Sequence, residues 1–253
     1  MIQIKNADQI REMKEAGRIT GEALLTAREH IRAGISTYEL DTIIREFIEK
    51  CGARPSFLGL YGFPGSACIS INDEVIHGIP SKKRIIQEGD IVKVDVGAQY
   101  RGYHGDSART IGVGKISEEA EKLIRVTRQS FFEGISAFRP DNRIGDIGYA
   151  VDSYVKKFGF TTVKDYVGHG IGHAVHESPD VPNFGTPGRG IRLYPGMTLA
   201  IEPMINAGTD EIRQLPDGWT VKTADGKLSA HYENTVALTN DGILNLTLID
   251  KDF

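Results

Sequence analysis

Apolar residues recur at helical spacing in four stretches of the chain, with strand-like runs between them. Ile10, Met13, Gly17, Thr20, Leu24, Ala27 and Ile31 mark one face at intervals of three and four. They predict a helix over residues 6–31, with Asn6 and Gln9 as its capping pair. A second helix opens at Ser36, with Glu39 three residues on. It carries the stripe Leu40, Ile43, Ile44, Phe47 and Ile48 until Gly52 stops it. Residues 117–138 form a third, with Ala120, Leu123, Ile124, Thr127, Phe131 and Ile135 inward and Pro140 as the break. The fourth runs through Ile144, Ile147, Ala150, Val151, Tyr154, Val155 and Phe158 to Gly159. Short strands are expected at Ala67–Ile71 and Phe160–Val163. Residues 55–66, rich in aromatics, glycine and proline, read as a shaped loop. The glycines at 168, 170 and 172 disfavour a helix there.

The pattern changes most sharply between Gly89 and Gly112. Two β-rich runs flank Gln99-Tyr100-Arg101-Gly102, a turn with glycine in its last place. Folding the chain back about Tyr100 and Arg101 sets Asp95 directly opposite Asp106, with Cβ atoms about 4.5–5.5 Å apart. Carboxylates held that close in a half-buried sheet repel each other. Either one is protonated or a cation sits between them.

From Ser117 the helix-helix-strand plan restarts. Adding 107 carries Leu40 to Ile147, Ile44 to Val151, Phe47 to Tyr154, Gly52 to Gly159, Gly89 to Gly196 and Asp95 to Glu202. After roughly twenty extra residues, Tyr232-Glu233-Asn234-Thr235 resembles His104-Gly105-Asp106-Ser107, which makes Glu233 the twin of Asp106. Residues 1–253 are therefore expected to form one domain of two repeats, about 6–114 and 117–253. The class is α+β: two pseudo-symmetric halves around a central, mainly antiparallel sheet, with helices on its outer face.

Singly, each of these acids has an ordinary structural reading, as a surface or strand-end residue. Two acids at equivalent places in two repeats, each joined by a second acid on a following strand, are costly without a counter-ion. Four carboxylates with an imidazole from Tyr166–Glu177 make a hard, oxygen-rich donor set, too negative for one divalent ion and suited to two. His169 and His173 in that stretch are four apart but lack the glutamate of a zincin helix. Two metals about 3.5–4 Å apart, bridged by carboxylates and a water, form a common hydrolase core.

Composition narrows the picture. The 253 residues are 40% hydrophobic and 25% charged, with a net charge of −4 and no basic block, so nucleic acid and anionic membrane are not the expected partners. The two cysteines do not look like a disulfide framework, and the start lacks the apolar core of a signal peptide. A cytoplasmic protein is expected.

Seven stretches then carry a family resemblance: His77-Gly-Ile-Pro80, Val94-Asp-Val-Gly97, His104-Gly-Asp-Ser107, Gly168-His-Gly-Ile-Gly172, Gly196-Met197, Ile201-Glu-Pro-Met204 and Glu233-Asn-Thr235. In order and spacing the chain resembles the type I methionine aminopeptidases. Asp210-Glu-Ile-Arg213 and Asp217–Thr223 strengthen the likeness. The resemblance implies the pita-bread fold of the creatinase and aminopeptidase enzymes. It implies removal of the initiator Met from nascent chains when the next residue is small, by a hydroxide bridging two divalent metals. These would be Co, Mn, Fe(II), Zn or Ni; the sequence does not name the physiological one. By resemblance Asp95, Asp106, His169, Glu202 and Glu233 are the metal ligands, and Glu202 also accepts the proton of the attacking water. His77 contacts the scissile amide, His176 stabilises the oxyanion, and Phe57, Leu60, Phe63, Cys68 and Trp219 hold the Met side chain. Leu60 and Phe63 stand where some members carry tyrosine, and Val175 where a larger aromatic can occur. The partners implied are nascent N-termini near the ribosome exit, met by a monomer.

The length leaves no room for the separate N-terminal domain of Xaa-Pro peptidases and creatine-hydrolysing relatives. No long N-terminal extension is expected before the first repeat, and no long insertion splits the second half as in type II enzymes. Two other classes compete. A non-catalytic pita-bread binding module would typically have lost ligands. A two-metal phosphoesterase would want a Lys/Arg cluster near the ligands.

Overall fold

The structure, a computed structural model, describes residues 2–248; the end of the second predicted repeat, residues 249–253, lies outside them. Four helices form where the periodicity places them. In α1 (Ala7–His30) the Asn6 side chain accepts from the Gln9 backbone N–H and the Gln9 side chain accepts from that of Asn6, both at 2.9 Å. In α2 (Thr37–Lys50) the Ser36 hydroxyl accepts from the Glu39 N–H, and Leu40, Ile44 and Ile48 are fully buried. Then come α3 (Glu118–Ser136), capped by Ser117, and α4 (Ile144–Lys156). Ile124, Ile135, Tyr154 and Phe158 are only partly buried at the margins of the core.

The first half builds β1 (Ala67–Ile71), β2 (Ile91–Tyr100) and β3 (Tyr103–Gly112), with β2 between the other two. The β2–β3 register differs from the expectation. Tyr100 faces Tyr103, so the connection is the two-residue turn Arg101-Gly102, with φ of 48° and 82°. Two positive φ values are the mark of a type I′ turn, whose twist matches that of the strands it joins. Asp95 therefore faces Ala108, and Asp106 faces Gly97. The shift is two residues, so both acids keep the same face and become diagonal neighbours; a shift of one would have sent one of them to the other side.

Val92, Val94, Val96 and Ala98 point into the core beneath α1 and α2, which leaves Lys93, Asp95 and Gly97 on the opposite face. The helix sits very close: a Cβ on Gly105 would lie 2.8 Å from the Gly17 Cα. Gly105→Ala is expected to lower stability by ~1–3 kcal/mol through overpacking. An unchanged urea midpoint would show that α1 can move off the sheet.

The second half contributes β4 (Gly168–Gly170), β5 (Thr198–Ile201), β6 (Met204–Asn206), β7 (Ser229–His231) and β8 (Asn234–Thr239). Here β5 lies between β4 and β8, β6 pairs with β7, and every strand pairing among the described residues is antiparallel. The expected strand at Phe160–Val163 shrinks to Thr161–Thr162.

The halves join along β3 and residues 231–235. Glu233 N–H donates to Ala108 O at 2.9 Å, and Ala108 N–H returns a longer bond at 3.4 Å. On one side the Thr235 hydroxyl spans the backbone N–H and C=O of Asp106, both at 2.9 Å. On the other the Thr110 hydroxyl spans those of His231, both at 2.8 Å. The seam thus has a pseudo-twofold through the Ala108–Glu233 pair. Adding 125 carries Asp106 to His231, Ala108 to Glu233 and Thr110 to Thr235, while β2 maps on β5 with the 107 already read. The equivalence of Asp106 with Glu233 is therefore corrected: the counterpart of Asp106 is His231. Matching acid to acid in sequence misled by two residues, because each half places its second acid at a different point of the seam strand.

Candidate metal centre

The registers set the five predicted donors in two adjacent rows across one face of the sheet. One row reads Asp95, Ala108, Glu233 and then Glu202, which lies one step past the Ile201–Asn234 pair. The next reads Gly97, Asp106, Thr235, Ala200 and His169. Asp106, Glu233 and His169 are buried, while Asp95 and Glu202 are partly so. The glycines beside His169 are needed for packing. A Cβ at Gly168 would lie 2.3 Å from Ala200 O, and one at Gly170 would lie 2.4 Å from Ser178 O.

The electrostatics are strongly unfavourable without a cation. Burial pushes the Asp95 carboxyl up to about 7. Burial, reinforced by the neighbouring carboxylates, holds Asp106, Glu202 and Glu233 well above the usual carboxylate range. Asp95 Oδ1, Asp106 Oδ1 and Glu233 Oε1 are buried with no hydrogen-bond partner among the described residues. His169 Nδ1 lies 2.8 Å from Gly170 O; donating there leaves Nε2 unprotonated, 3.8 Å from Asp106 Oδ2 and 3.6 Å from Glu202 Oε1. Burial and the neighbouring His176 lower the His169 pKa to about 4, so the imidazole is neutral. Orphaned carboxylate oxygens beside a neutral imidazole nitrogen fit one or more divalent cations.

The donors floor a cavity of about 520 Å³. Phe57, Phe63, Cys68 and Val175 form one buried apolar cluster, with Leu60 and Trp219 packed on it. Cys68 faces Asp95 across the β1–β2 pairing, and burial pushes its thiol well up, with Asp95 adding to the shift. The thiol is a protonated wall rather than a nucleophile. His77, in the left-handed region at φ 58°, meets the rings of Tyr166 and Trp219 edge-on at 5.4 and 6.3 Å. Burial lowers its pKa to about 4. His176 sits edge-on to His169 at 4.5 Å, and burial lowers its pKa too.

Metallopeptidase family M24 matches residues 11–240. The methionine aminopeptidase of Clostridium perfringens is 58% identical over 249 residues, covering 98% of this chain and all of that one. The chain belongs to metallopeptidase family M24. Methionine aminopeptidase 1 of Bacillus subtilis is 47% identical over 98% of this chain and the whole of its own. The crystal structure of the methionine aminopeptidase from Thermotoga maritima superposes with a TM-score of 0.96 at 42% identity, covering 98% of this chain and 100% of that one. As an M24 enzyme the chain is a pita-bread metallopeptidase, which accords with a donor set suited to divalent metal.

Three residues of this M24 site were not anticipated. Tyr61, 75% exposed, stacks on His176 with centroids 5.8 Å apart and planes 11° apart. Tyr166 backs His77. His231 is fully buried, with Nε2 3.7 Å from Glu202 Oε2 and 3.8 Å from Glu233 Oε2. A signal for it existed: His231 lies two residues before Glu233 on an extended segment, and therefore on the same face. His173 goes elsewhere, its Nδ1 2.9 Å from Gly102 O and its ring on Tyr103 at 4.2 Å, which ties the glycine-rich loop to the hairpin turn.

Proposed function

We propose that this M24 enzyme is a methionine aminopeptidase that removes the initiator Met from nascent chains whose second residue is small. The observation that carries the reading is the apolar pocket of Phe57, Leu60, Phe63, Cys68 and Trp219 set against an acidic floor whose buried carboxylate oxygens lack hydrogen-bond partners among the described residues. An unbranched thioether side chain fits such a wall, and the amide next to it then lies over the donors. Asp95, Asp106, His169, Glu202 and Glu233 would hold two divalent ions, which when bound supply Lewis acidity and an activated water at neutral pH.

The chain's own groups do the rest. Glu202, whose proton affinity burial raises, takes the proton of the attacking water as a carboxylate. His176 donates a hydrogen bond to the oxyanion as a neutral imidazole. His77, neutral and locked by its strained backbone, holds the scissile amide. The apolar walls orient the substrate and exclude water. The chain works as one catalytic domain and as a monomer, in the cytoplasm, on N-termini emerging near the ribosome. No helix among the described residues is long and apolar enough to cross a membrane. Among the described residues none that lines the cavity is Lys or Arg, which disfavours a phosphate-ester substrate.

Hydrolysis of Met-Ala-Ser peptides should need added Mn(II), Fe(II) or Co(II) and stop on chelation. Activity that survives complete chelation would sink the metal mechanism. His176→Ala should lower kcat by about 10²–10³-fold and leave metal content unchanged. Loss of metal in that variant would instead make His176 a ligand.

A further inference from the structure

Among the described residues, His231 is a buried imidazole that the site described above leaves without a role. Its side chain is 1% exposed, and neither ring nitrogen has a hydrogen-bond partner among the described residues. Buried polar atoms are nearly always bonded, so an imidazole with two vacant nitrogens beside orphaned carboxylate oxygens points to a missing partner. Its Nε2 lies 3.7 Å from Glu202 Oε2 and 3.8 Å from Glu233 Oε2. Both separations exceed a hydrogen bond. Both are shorter than the ~4.2 Å that two donors bound to one ion at about 2.1 Å can span. His169 stands at matching distances, 3.6 Å from Glu202 Oε1 and 3.8 Å from Asp106 Oδ2. Glu202 therefore lies between two imidazoles, one facing each of its oxygens. Donor atoms of Asp95, His231 and Glu233 all fall within 4.8 Å of one another, as do those of Asp106, His169 and Glu233.

We propose that His231 is a sixth protein donor of the metal centre, serving the ion held by Asp95 and Glu233, so that each of the two ions has one imidazole. The inference rests on the dinuclear reading above. Nε2, the ring nitrogen that faces Glu202 and Glu233, supplies the lone pair. The position is set by the seam: the Thr110 hydroxyl clamps the His231 backbone on both sides, and His231 is the twofold counterpart of Asp106. The two repeats thus aim equivalent positions at the centre, a carboxylate from one and an imidazole from the other. Unlike His169, His231 has no acceptor for Nδ1–H among the described residues, so its tautomer is not held and its bond to metal is the weaker of the two.

The test is X-ray absorption on protein loaded with two equivalents of Co(II), beside calorimetric titration of wild type and His231→Gln. Imidazole scattering should correspond to two rings per two ions in wild type and one in the variant. The second ion should bind about 10–100-fold more weakly in His231→Gln, with the first unchanged. Two bound ions with one imidazole in wild type would overturn the inference and leave the dinuclear reading standing, and that measurement needs no variant. Equal imidazole counts in both proteins would overturn it as well. A wild type that binds no metal would sink the dinuclear reading itself.

Discussion

Asp106→Ala and Glu202→Ala should each lose metal occupancy and reduce turnover by at least about 10³-fold, since misplacing even one stabilising group at a reacting centre costs about 10²–10³. Both side chains lie on the shared floor: Asp106 faces His169 Nε2, and Glu202 stands between two imidazoles. The effect on stability should have the opposite sign in metal-free protein. Asp106 is penalised first by burial and then by the charges of Asp95 and Glu202, so Asp106→Asn removes a repelling group and keeps its shape. Melting of the chelated proteins should place Asp106→Asn above wild type, with added metal reversing the order. Full activity in Asp106→Ala or Glu202→Ala would refute the ligand assignment. A chelated Asp106→Asn that melts below wild type would refute the account of repulsion.

Metal-free protein should lose stability as pH rises above about 6.5. Two sets of groups shift in opposite directions. Asp95 is raised from 3.8 to about 7, and Asp106, Glu202 and Glu233 are raised well above their ordinary values. For these the stability is fully present below the unfolded pKa and lost as pH climbs through the folded one. His77, His104 and His169 are lowered from 6.5 to about 4 and His231 to about 3, so their contribution is lost as pH falls through that range. Between about pH 4 and 6.5 folding takes up protons on the acids and releases them from the histidines, and the two trends offset. Above 6.5 the histidines are neutral in both states; Lys93, which burial lowers from 10.5 to about 7, gains stability with pH above 7, but it is one group against the four carboxylates and the net trend is theirs. Urea midpoints of chelated protein at pH 6.5, 7.5 and 8.5 should fall in that order. Saturating Mn(II) should flatten the series, because metal binds the ionised form and competes better with protons at high pH. A chelated midpoint that rises from pH 6.5 to 8.5 would contradict the assigned shifts.

Much of the molecule is legible in its sequence. The capping pair Asn6–Gln9, the Ser36 and Ser117 caps and the stripe Leu40–Ile44–Ile48 are local, and helices obey local periodicity. The repeat offset of 107 was readable because Gly89 and Asp95 recur as Gly196 and Glu202. The proposed donors and pocket residues carry motif signals, and the structure brings them to one cavity. Other features depended on pairing between distant segments. The Arg101-Gly102 turn put two residues at positive φ and moved the hairpin register by two, a choice of backbone geometry that composition does not announce. The twofold through Ala108 and Glu233 made His231, rather than Glu233, the counterpart of Asp106. Which residues share a row is decided by hydrogen bonds between β3 and a segment more than a hundred positions away. The sequence by itself determined the helices, the repeat and the chemistry of the candidate donors. Only the tertiary structure decided how the two hairpins meet, and with it that a second buried imidazole faces the acids, because strand register is a property of the pair and not of either strand.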